Sequence, residues 1–262
     1  PLFQAEDGIR DNIPSLEGSE MCIRDRPLDL DIVRLDSQGM NKPPIEAAFV
    51  AAKLAKIGEE LPNQVRFWNL LQKYPLEMRD DANGDGRRNL PVNGINPPAP
   101  PFTAGGVAGA RQYYASGMYE LKPNEALVVK VTAPVEPHYV GMQLGNEWFE
   151  GPDQQNYVSS LSGHQLPVAS DGSRYYVIAM TDPGVQGWVD TTGYHYGQHA
   201  MRFIFREDPT AEMMPTASAI LVRLDQLHTI LPADTPRISA KQRRAEVAVR
   251  QAHIKHRWRG FW

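Results

Sequence analysis

Hydrophobic residues occupy every second position along much of the chain between residues 110 and 226. In HYVGMQLG, Val140, Met142 and Leu144 alternate with their neighbours, as in a strand with one buried face. The same period favours strands in five further segments bounded by Gly, Pro, Asn or Asp: ARQYYASGMYEL, EALVVKVTAP, RYYVIAM, AMRFIFR and SAILVRL. Because few helical patterns intervene, we predict a mainly β fold, an antiparallel β-sandwich of jelly-roll-like type, over residues 110–232.

A helical period precedes the strands. Pro43 and Pro44 stand at a helix start, where a missing N–H group costs nothing, and apolar residues follow at helical spacing. Gly58 and Pro62 interrupt this pattern and predict a division into two helices. We interpret residues 27–79 as the helical remnant of a truncated upstream domain.

Residues 233–262 predict a C-terminal basic amphipathic helix. Ser239 and Gln242 have the spacing of a capping box at its start. An apolar line follows at helical spacing: Val247, Ile254, Trp258 and Phe261. Contact of the basic face with nucleic acid or an anionic membrane surface is one interpretation. We favour the other, in which the apolar face packs on the sandwich and the basic face lies in water.

Residues 80–109 are rich in Pro, Gly and Asn and predict a linker or an ordered arm. Within them, DDANGDG matches the opening of an EF-hand calcium loop, but the twelfth position is Val92, where that loop needs a bidentate Glu. His195 and His199 have the spacing of metal ligands on a helix, yet their segment is predicted to be loop and strand. We therefore predict no metal site.

The first 26 residues resemble translated sequencing adaptors. QAEDGIRD matches a back-translation of the flow-cell end of a short-read library adaptor, and EMCIRDR matches a frame through a transposase-type adaptor. The two stretches occur in the expected order, so we interpret residues 1–26 as an artefact and exclude them from the fold. Residues 27–262 then carry a net charge of about −1 instead of −4, and no cysteine, since the only one is Cys22.

Composition argues against several classes of function. A nearly neutral chain has no overall attraction to nucleic acid or membranes, and no stretch approaches the ~20 apolar residues of a membrane span. Without cysteine, residues 27–262 have neither a disulfide framework nor thiolate chemistry. No glycine loop has a phosphate-binding pattern, and we predict no cofactor and no nucleic-acid partner. The composition leaves open whether the chain binds a small polar ligand and whether it forms a homo-oligomer. It does not identify the cellular compartment either.

Three motifs between residues 110 and 225 carry a family resemblance. They are a Q-L-x-N-x-W turn, a D-P-G-V-x-x-W-x-D-T-x-G segment and the Arg-bearing strand that follows it. In these motifs the chain resembles the bacterial domain-of-unknown-function family 1214. The resemblance implies a β-sandwich at the C-terminal end of a longer protein. It implies no activity, because the family is named for lacking one.

The sharpest chemical candidate is the segment TDPGVQGWVDTTGYHYGQHAMRF. Six of its residues form a candidate ligand-binding site: Asp182, Trp188, Asp190, Thr192, His195 and Arg202. A ring that stacks, a carboxylate that accepts hydrogen bonds and a guanidinium that clamps would suit a small polar ligand. Alternatively the loop is structural, with Trp188 plugging the end of the sandwich. In both cases the alternation in AMRFIFR predicts that Arg202 lies beside Asp190.

Three functions stay open from the sequence. The first is a small-ligand-binding or accessory domain. The second is an enzyme, in which Asp182, Asp190 and His195 act on a substrate held by Trp188 and Arg202. The third is a structural or oligomerisation module. No motif marks a nucleophile, since SGHQ is not the G-x-S-x-G elbow, and catalytic residues stay unassigned.

Overall fold

The computed structural model describes residues 44–77, 90–100, 111–146 and 148–257, with the backbone alone for residues 71–77 and 256–257. The adaptor interpretation and the calcium-like DDANGDG segment both concern residues outside these ranges. Strands dominate the described part of the chain, and a long helix precedes and follows them. The predicted mainly β fold is therefore confirmed.

Eight strands of the described residues build the sandwich. They are β1 (Gln112–Glu120), β2 (Glu125–Thr132), β3 (Tyr139–Gly145), β4 (Ser160–Ser162), β5 (Ser173–Ala179), β6 (Trp188–Asp190), β7 (Tyr196–Ile204) and β8 (Thr216–Arg223). The first sheet has the order β1-β7-β3-β4, and the second has the order β6-β5-β2-β8. All neighbouring strands are antiparallel except β5 and the short β6, which run parallel.

The inner strands of the second sheet, β2 and β5, are mostly buried on both faces. Leu127 and Val129 of β2 belong to the core between the two sheets, whereas Ala126 and Val128 belong to a second apolar cluster on the opposite face. Leu227, in the 3₁₀ turn that follows β8, packs into that second cluster. Double burial explains why β2 has a continuous apolar run instead of a strict alternation.

A stretch of residues 91–99 runs along the outer edge of β1. Asn93 N–H donates to the Met118 carbonyl at 2.7 Å, and the backbones of Ala99 and Tyr114 exchange two hydrogen bonds. The Asn93 side chain adds a pair of bonds to the backbone of Glu120, each 2.9 Å long. These contacts cover the edge that β1 would otherwise expose.

The N-terminal helix α1 (Ala47–Glu77) is continuous, so the predicted interruption is wrong. Pro62 withdraws only the hydrogen bond that its N–H group would donate to the Gly58 carbonyl, and the neighbouring turns bridge the gap. A ring contact with the sandwich joins Trp68 to Phe149, with centroids 6.2 Å apart. The described side chains of α1 are exposed, including nine large apolar ones, among them Val50, Leu54, Ile57 and Leu61.

The C-terminal helix α2 (Ala240–Arg257) begins with the predicted capping box. Ser239 N–H donates to Gln242 Oε1 at 2.9 Å, and Gln242 N–H donates back to Ser239 Oγ at 3.3 Å. The helix packs on the sandwich through Val247, while Trp258 and Phe261 lie outside the described residues. Neither α1 nor α2, as far as each is described, combines the length and apolar character that crossing a membrane requires.

Candidate functional site

Asp182 and Trp188, two of the predicted site residues, surround an arginine of α2. Arg243 donates from Nε to Asp182 Oδ2 (2.9 Å) and from Nη2 to Asp182 Oδ1 (3.3 Å). Its guanidinium carbon lies 4.9 Å from the centroid of the Trp188 ring. The remaining donations go from Nη2 to the Val185 carbonyl (2.9 Å) and from Nη1 to Glu246 Oε2 (2.7 Å). All three guanidinium nitrogens of this buried arginine therefore have protein partners.

This cluster joins α2 to the loop between β5 and β6. Asp182 also accepts the backbone N–H of Gly184 at 2.8 Å, which closes the D-P-G turn with Gly184 at a φ of 70°. The Trp188 indole N–H donates to the Ala179 carbonyl at 3.0 Å. Because Arg243 already occupies the Asp182 carboxylate and one face of Trp188, we interpret the cluster as a structural support.

Asp190 and Thr192 form the turn that follows β6. Asp190 Oδ1 accepts the backbone N–H of Thr192 at 2.8 Å, and Thr192 has a φ of 55°. Burial raises the pKa of Asp190 above its usual value, and the charge of Asp182 raises it further, against the lowering effects of the Thr192 N–H and Arg243. The carboxylate thus organises an Asx turn in a place where its charge is poorly solvated.

Arg202 does not meet Asp190, so the predicted ion pair is wrong. Asp190 ends β6 in the second sheet, whereas Arg202 lies in β7 of the first sheet. The Arg202 side chain is exposed, and its guanidinium carbon lies 5.1 Å from the ring centroid of Tyr114 on β1. The two-residue period placed Arg202 opposite Met201 and Phe203 correctly. It could not show which sheet delivers the loop that holds Asp190.

His195 lines an open cavity of about 480 Å³ at one end of the first sheet. The cavity forms where β1 ends, β7 begins and the turn after β3 projects outward. Leu121 N–H donates to the His195 carbonyl at 2.7 Å, which ties the end of β1 to the segment leading into β7. The lining residues are Glu120, Asn146, Trp148, Tyr194, His195 and Tyr196.

The turn that presents Trp148 is organised by the side chain of Asn146. Asn146 Oδ1 accepts the backbone N–H groups of Trp148 (2.8 Å) and Glu150 (3.0 Å), and its Nδ2 donates to Glu150 Oε2 (2.8 Å). Phe149 has a φ of 61°, a left-handed conformation that the surrounding bonds hold in place. The Q-L-x-N-x-W motif is therefore a turn that displays a tryptophan beside the cavity.

Tyr119, the neighbour of Glu120 in β1, is completely buried and carries a hydroxyl with no hydrogen-bond partner among the described residues. A Cβ added to Gly197 would lie 2.4 Å from this hydroxyl oxygen, so the ring occupies the space above that glycine. Burial raises the pKa of Tyr119, and the charges of Tyr194 and Asp190 raise it further. The phenol therefore stays neutral.

The two histidines four residues apart occupy opposite environments. His195 is exposed at the cavity, whereas His199 is completely buried and shares a 3.0 Å hydrogen bond from Nε2 with the Gly94 carbonyl. Burial lowers the pKa of His199 to about 4, so the ring is neutral at pH 7. Within the described ranges, no group of three or more His, Cys, Asp or Glu side chains is placed to hold a metal ion.

The structure thus separates the six predicted residues. Asp182 and Trp188 contact Arg243, Asp190 and Thr192 form a turn, His195 lines the cavity, and Arg202 lies on the outer face of β7. The sequence did not single out Arg243, because nothing local distinguishes it from the other arginines of α2. Trp148 was detectable in principle, because the Q-L-x-N-x-W motif already contains it.

Comparisons with known proteins find four chains of solved structures that resemble this one. One is an uncharacterized protein from Burkholderia cenocepacia, 27% identical, with a TM-score of 0.43 over 51% of this chain and 36% of that chain. Another is a protein from Vibrio parahaemolyticus, 17% identical, with a TM-score of 0.34 over 69% of this chain and 48% of that chain. The chain therefore spans about a third to a half of the proteins that it resembles. No family model and no curated protein matches the sequence.

Proposed function

We propose that the sandwich is a small-ligand-binding domain and that its site is the cavity beside His195. The supporting observation is that three aromatic residues, a glutamate and a histidine line one concave surface. Sites for small molecules usually combine apolar rings with a few polar groups that fix the orientation of the ligand. The cavity volume of about 480 Å³ falls in the range of roughly 300–1,000 Å³ that is usual for such sites.

The charge of the lining favours a cationic or neutral ligand. Glu120 contributes a carboxylate, and no lysine or arginine occurs among the described lining residues. The Asn146 side chain is engaged in its own turn, so Glu120 and His195 are the polar groups best able to orient a ligand. An anionic ligand would meet the Glu120 carboxylate without a compensating guanidinium or ammonium group.

The rings favour a ligand with an apolar or cationic face. Trp148 is 37% exposed and Tyr194 is 46% exposed, so both offer aromatic surface to a bound molecule. An organic ammonium ion over such a ring gains about 0.5–1 kcal/mol at an exposed site and more when it is desolvated. A hydroxyl-rich neutral ring would instead stack on Trp148 and donate hydrogen bonds to Glu120.

No observation favours the enzyme hypothesis with Asp182, Asp190 and His195 acting together. An acid and a base must both come within about 3 Å of one reacting atom. Asp182 is bonded to Arg243, Asp190 is bonded to the Thr192 backbone, and His195 lines the separate cavity.

Calorimetric titration of the full chain tests the proposal with three probes: choline, glucose and malonate. We expect choline or glucose to bind with a Kd on the order of 1 mM, and malonate not to bind. Trp148→Ala should weaken the binding at least about tenfold, a loss of about 1.4 kcal/mol. Tyr157→Ala is the matched control, because Tyr157 is an equally exposed aromatic residue that does not line the cavity.

Three results would contradict the proposal. One is malonate binding in preference to choline and glucose. Another is an unchanged affinity in Trp148→Ala, which would place the bound probe elsewhere on the chain. Absence of binding by all three probes, well above millimolar concentrations, would leave the cavity without a role in ligand binding and would equally reject it.

The relationship to domain-of-unknown-function family 1214 is also a proposal. The sequence motifs support this proposal, because the structure gives the residues of two of them a physical role. Asn146 organises the turn that presents Trp148, and Asp182 and Trp188 contact Arg243. Substituting Asn146 by Ala should disorder the turn and lower probe affinity along with Trp148→Ala.

A further inference from the structure

Strand β8 forms an open edge of the second sheet. It pairs with β2 on one side, in a register that runs from Thr216 opposite Thr132 to Arg223 opposite Glu125. On its other side, no backbone hydrogen bond joins residues 216–222 to any part of the chain that the structure describes. The backbone donors and acceptors of the alternate residues that point away from β2 are therefore available along this edge.

The side chains of this edge do not protect it. The strand reads TASAILVR, with no charged residue before Arg223 and no proline. Ile220 and Leu221 are 47% and 40% exposed, although both are large and apolar. Natural sheets usually guard an edge with lysine, proline, a bulge or a covering segment, because an unguarded edge pairs with another strand. The edge of β1, by contrast, is covered by residues 91–99.

We infer that β8 pairs with β8 of a second copy of this chain, so that two four-stranded sheets join into one continuous eight-stranded sheet. The inference goes beyond the proposed ligand site, because β8 supplies none of the cavity lining. It specifies which surface would form the homo-oligomer that the sequence analysis left open. The two strands run antiparallel about a twofold axis perpendicular to the sheet, the usual symmetry of a homodimer.

The sequence of β8 is self-complementary about Ile220. In an antiparallel pair, directly opposite residues point to the same face, so the axis passes through one residue position. With Ile220 at the axis, Ile220 meets the partner's Ile220, and Leu221 covers the partner's Ala219. Ser218 then lies opposite the partner's Val222. Both exposed apolar side chains of the strand thereby gain an apolar cross-strand neighbour.

The charges of the strand are compatible with this pairing. Arg223 would lie opposite the partner's Ala217, and the two copies of Arg223 would stand about 20 Å apart at about 3.4 Å per residue. That separation exceeds the Debye length of about 8 Å at physiological ionic strength, so their repulsion is screened. Arg223 is in addition paired with Asp225 of its own chain, at 3.0 Å.

The mass of the full chain in solution tests the inference. Sedimentation should give twice the 29.3 kDa of one chain. Ile220→Lys should halve that mass, because a lysine at the axis faces its own copy. Val249→Lys is the matched control, since Val249 is exposed on α2 and lies away from the edge. Leu54→Lys tests the apolar side chains of α1 as a competing interface in the same way.

A cysteine at the axis provides a second measurement that does not depend on the folding of the lysine variant. Opposite residues in antiparallel strands have Cα atoms about 4.5–5.5 Å apart, which suits a disulfide. In a chain that also carries Cys22→Ser, Ile220→Cys should form a covalent dimer on mild oxidation, and Val249→Cys should not. A monomeric wild-type chain, a dimeric Ile220→Lys, or a dimer that only Leu54→Lys dissociates would each overturn the inference.

Discussion

Arg243 in α2 and Asp182 in the loop before β6 are joined by two hydrogen bonds although they are 61 residues apart in sequence. The arginine also covers the indole of Trp188. A polar pair therefore holds the C-terminal helix on the sandwich, in addition to the apolar contact of Val247 that the sequence predicted.

Arg243→Ala should destabilise the fold by about 3 kcal/mol, because it leaves the partly buried carboxylates of Asp182 and Glu246 and the Val185 carbonyl without their guanidinium partner. Arg244→Ala is the matched control, since Arg244 is the exposed neighbour in the same helix. Urea unfolding monitored by circular dichroism measures both. Equal midpoints for the two variants would show that the Arg243 cluster adds nothing to stability.

Asp190 and Arg202 should show no coupling. A double-mutant cycle with Asp190→Asn and Arg202→Ala should give an interaction energy below about 0.3 kcal/mol, because the two side chains belong to different sheets. The same cycle with Asp182→Asn and Arg243→Ala should exceed about 1 kcal/mol. Thermal or urea unfolding provides the four stabilities for each cycle. A large coupling in the first cycle would contradict the strand assignment.

Acid should destabilise the protein through His199. The pKa of His199 in the folded chain, about 4, lies below its ordinary value of 6.5, so the unfolded chain binds the proton more readily between these pH values. The free energy of unfolding therefore falls as pH drops from 6.5 towards 4, by on the order of 3 kcal/mol from this residue. His199→Gln should remove that part of the pH dependence, and His195→Gln, at the exposed cavity, should retain it.

Gly197→Ala should destabilise the sandwich by about 1–3 kcal/mol, as overpacking usually does. The new methyl group would lie 2.4 Å from the Tyr119 hydroxyl and 2.5 Å from the Gly145 carbonyl, and the second contact is with backbone that cannot rotate away. Tyr119→Phe should instead leave stability unchanged or raise it by about 1 kcal/mol, because it removes a buried hydroxyl without a partner. The unfolding midpoint of Gly197→Ala should therefore fall below that of the wild-type chain, and the midpoint of Tyr119→Phe should equal or exceed it.

Residues 1–26 should contribute nothing to stability. A chain that begins at Pro27 should melt at the same temperature as the full chain, because the deleted stretch resembles translated adaptor sequence. Differential scanning calorimetry measures the comparison. A loss of several degrees on deletion would show that the stretch is integrated into the fold.

The strands were predictable because burial imposes a two-residue period. Val140, Met142 and Leu144 point into the core between the sheets, as the alternation in β3 indicated. The capping box of Ser239 and Gln242 was predictable for a similar reason, since its bonds form between residues three apart. Local patterns thus report local geometry, and the sheet order adds the parallel pairing of β5 with β6 that no local pattern contains.

The candidate site was only partly predictable, because sites are assembled across long separations. His195 was identified, but Glu120 joins it through a strand pairing, and Trp148 joins it through a turn about 50 residues earlier in the chain. Arg243 replaced Arg202 as the partner of an aspartate for the same reason. A single sequence does not show which arginine the packing of a helix will bring to which loop.

Burial of the inner strands of the second sheet on both faces should slow the hydrogen exchange of their amides. The amide hydrogens of β2 and β5 lie in inner strands, between the intersheet core and the cluster around Leu227. Their exchange with solvent deuterium should require opening of the whole sandwich, so that their protection reports the global free energy of unfolding. The described side chains of α1 are exposed, so its amides should exchange through local fraying, which requires a much smaller opening free energy. The slowest amides of the molecule should therefore trace Ala126–Val129, the run that is apolar on both faces.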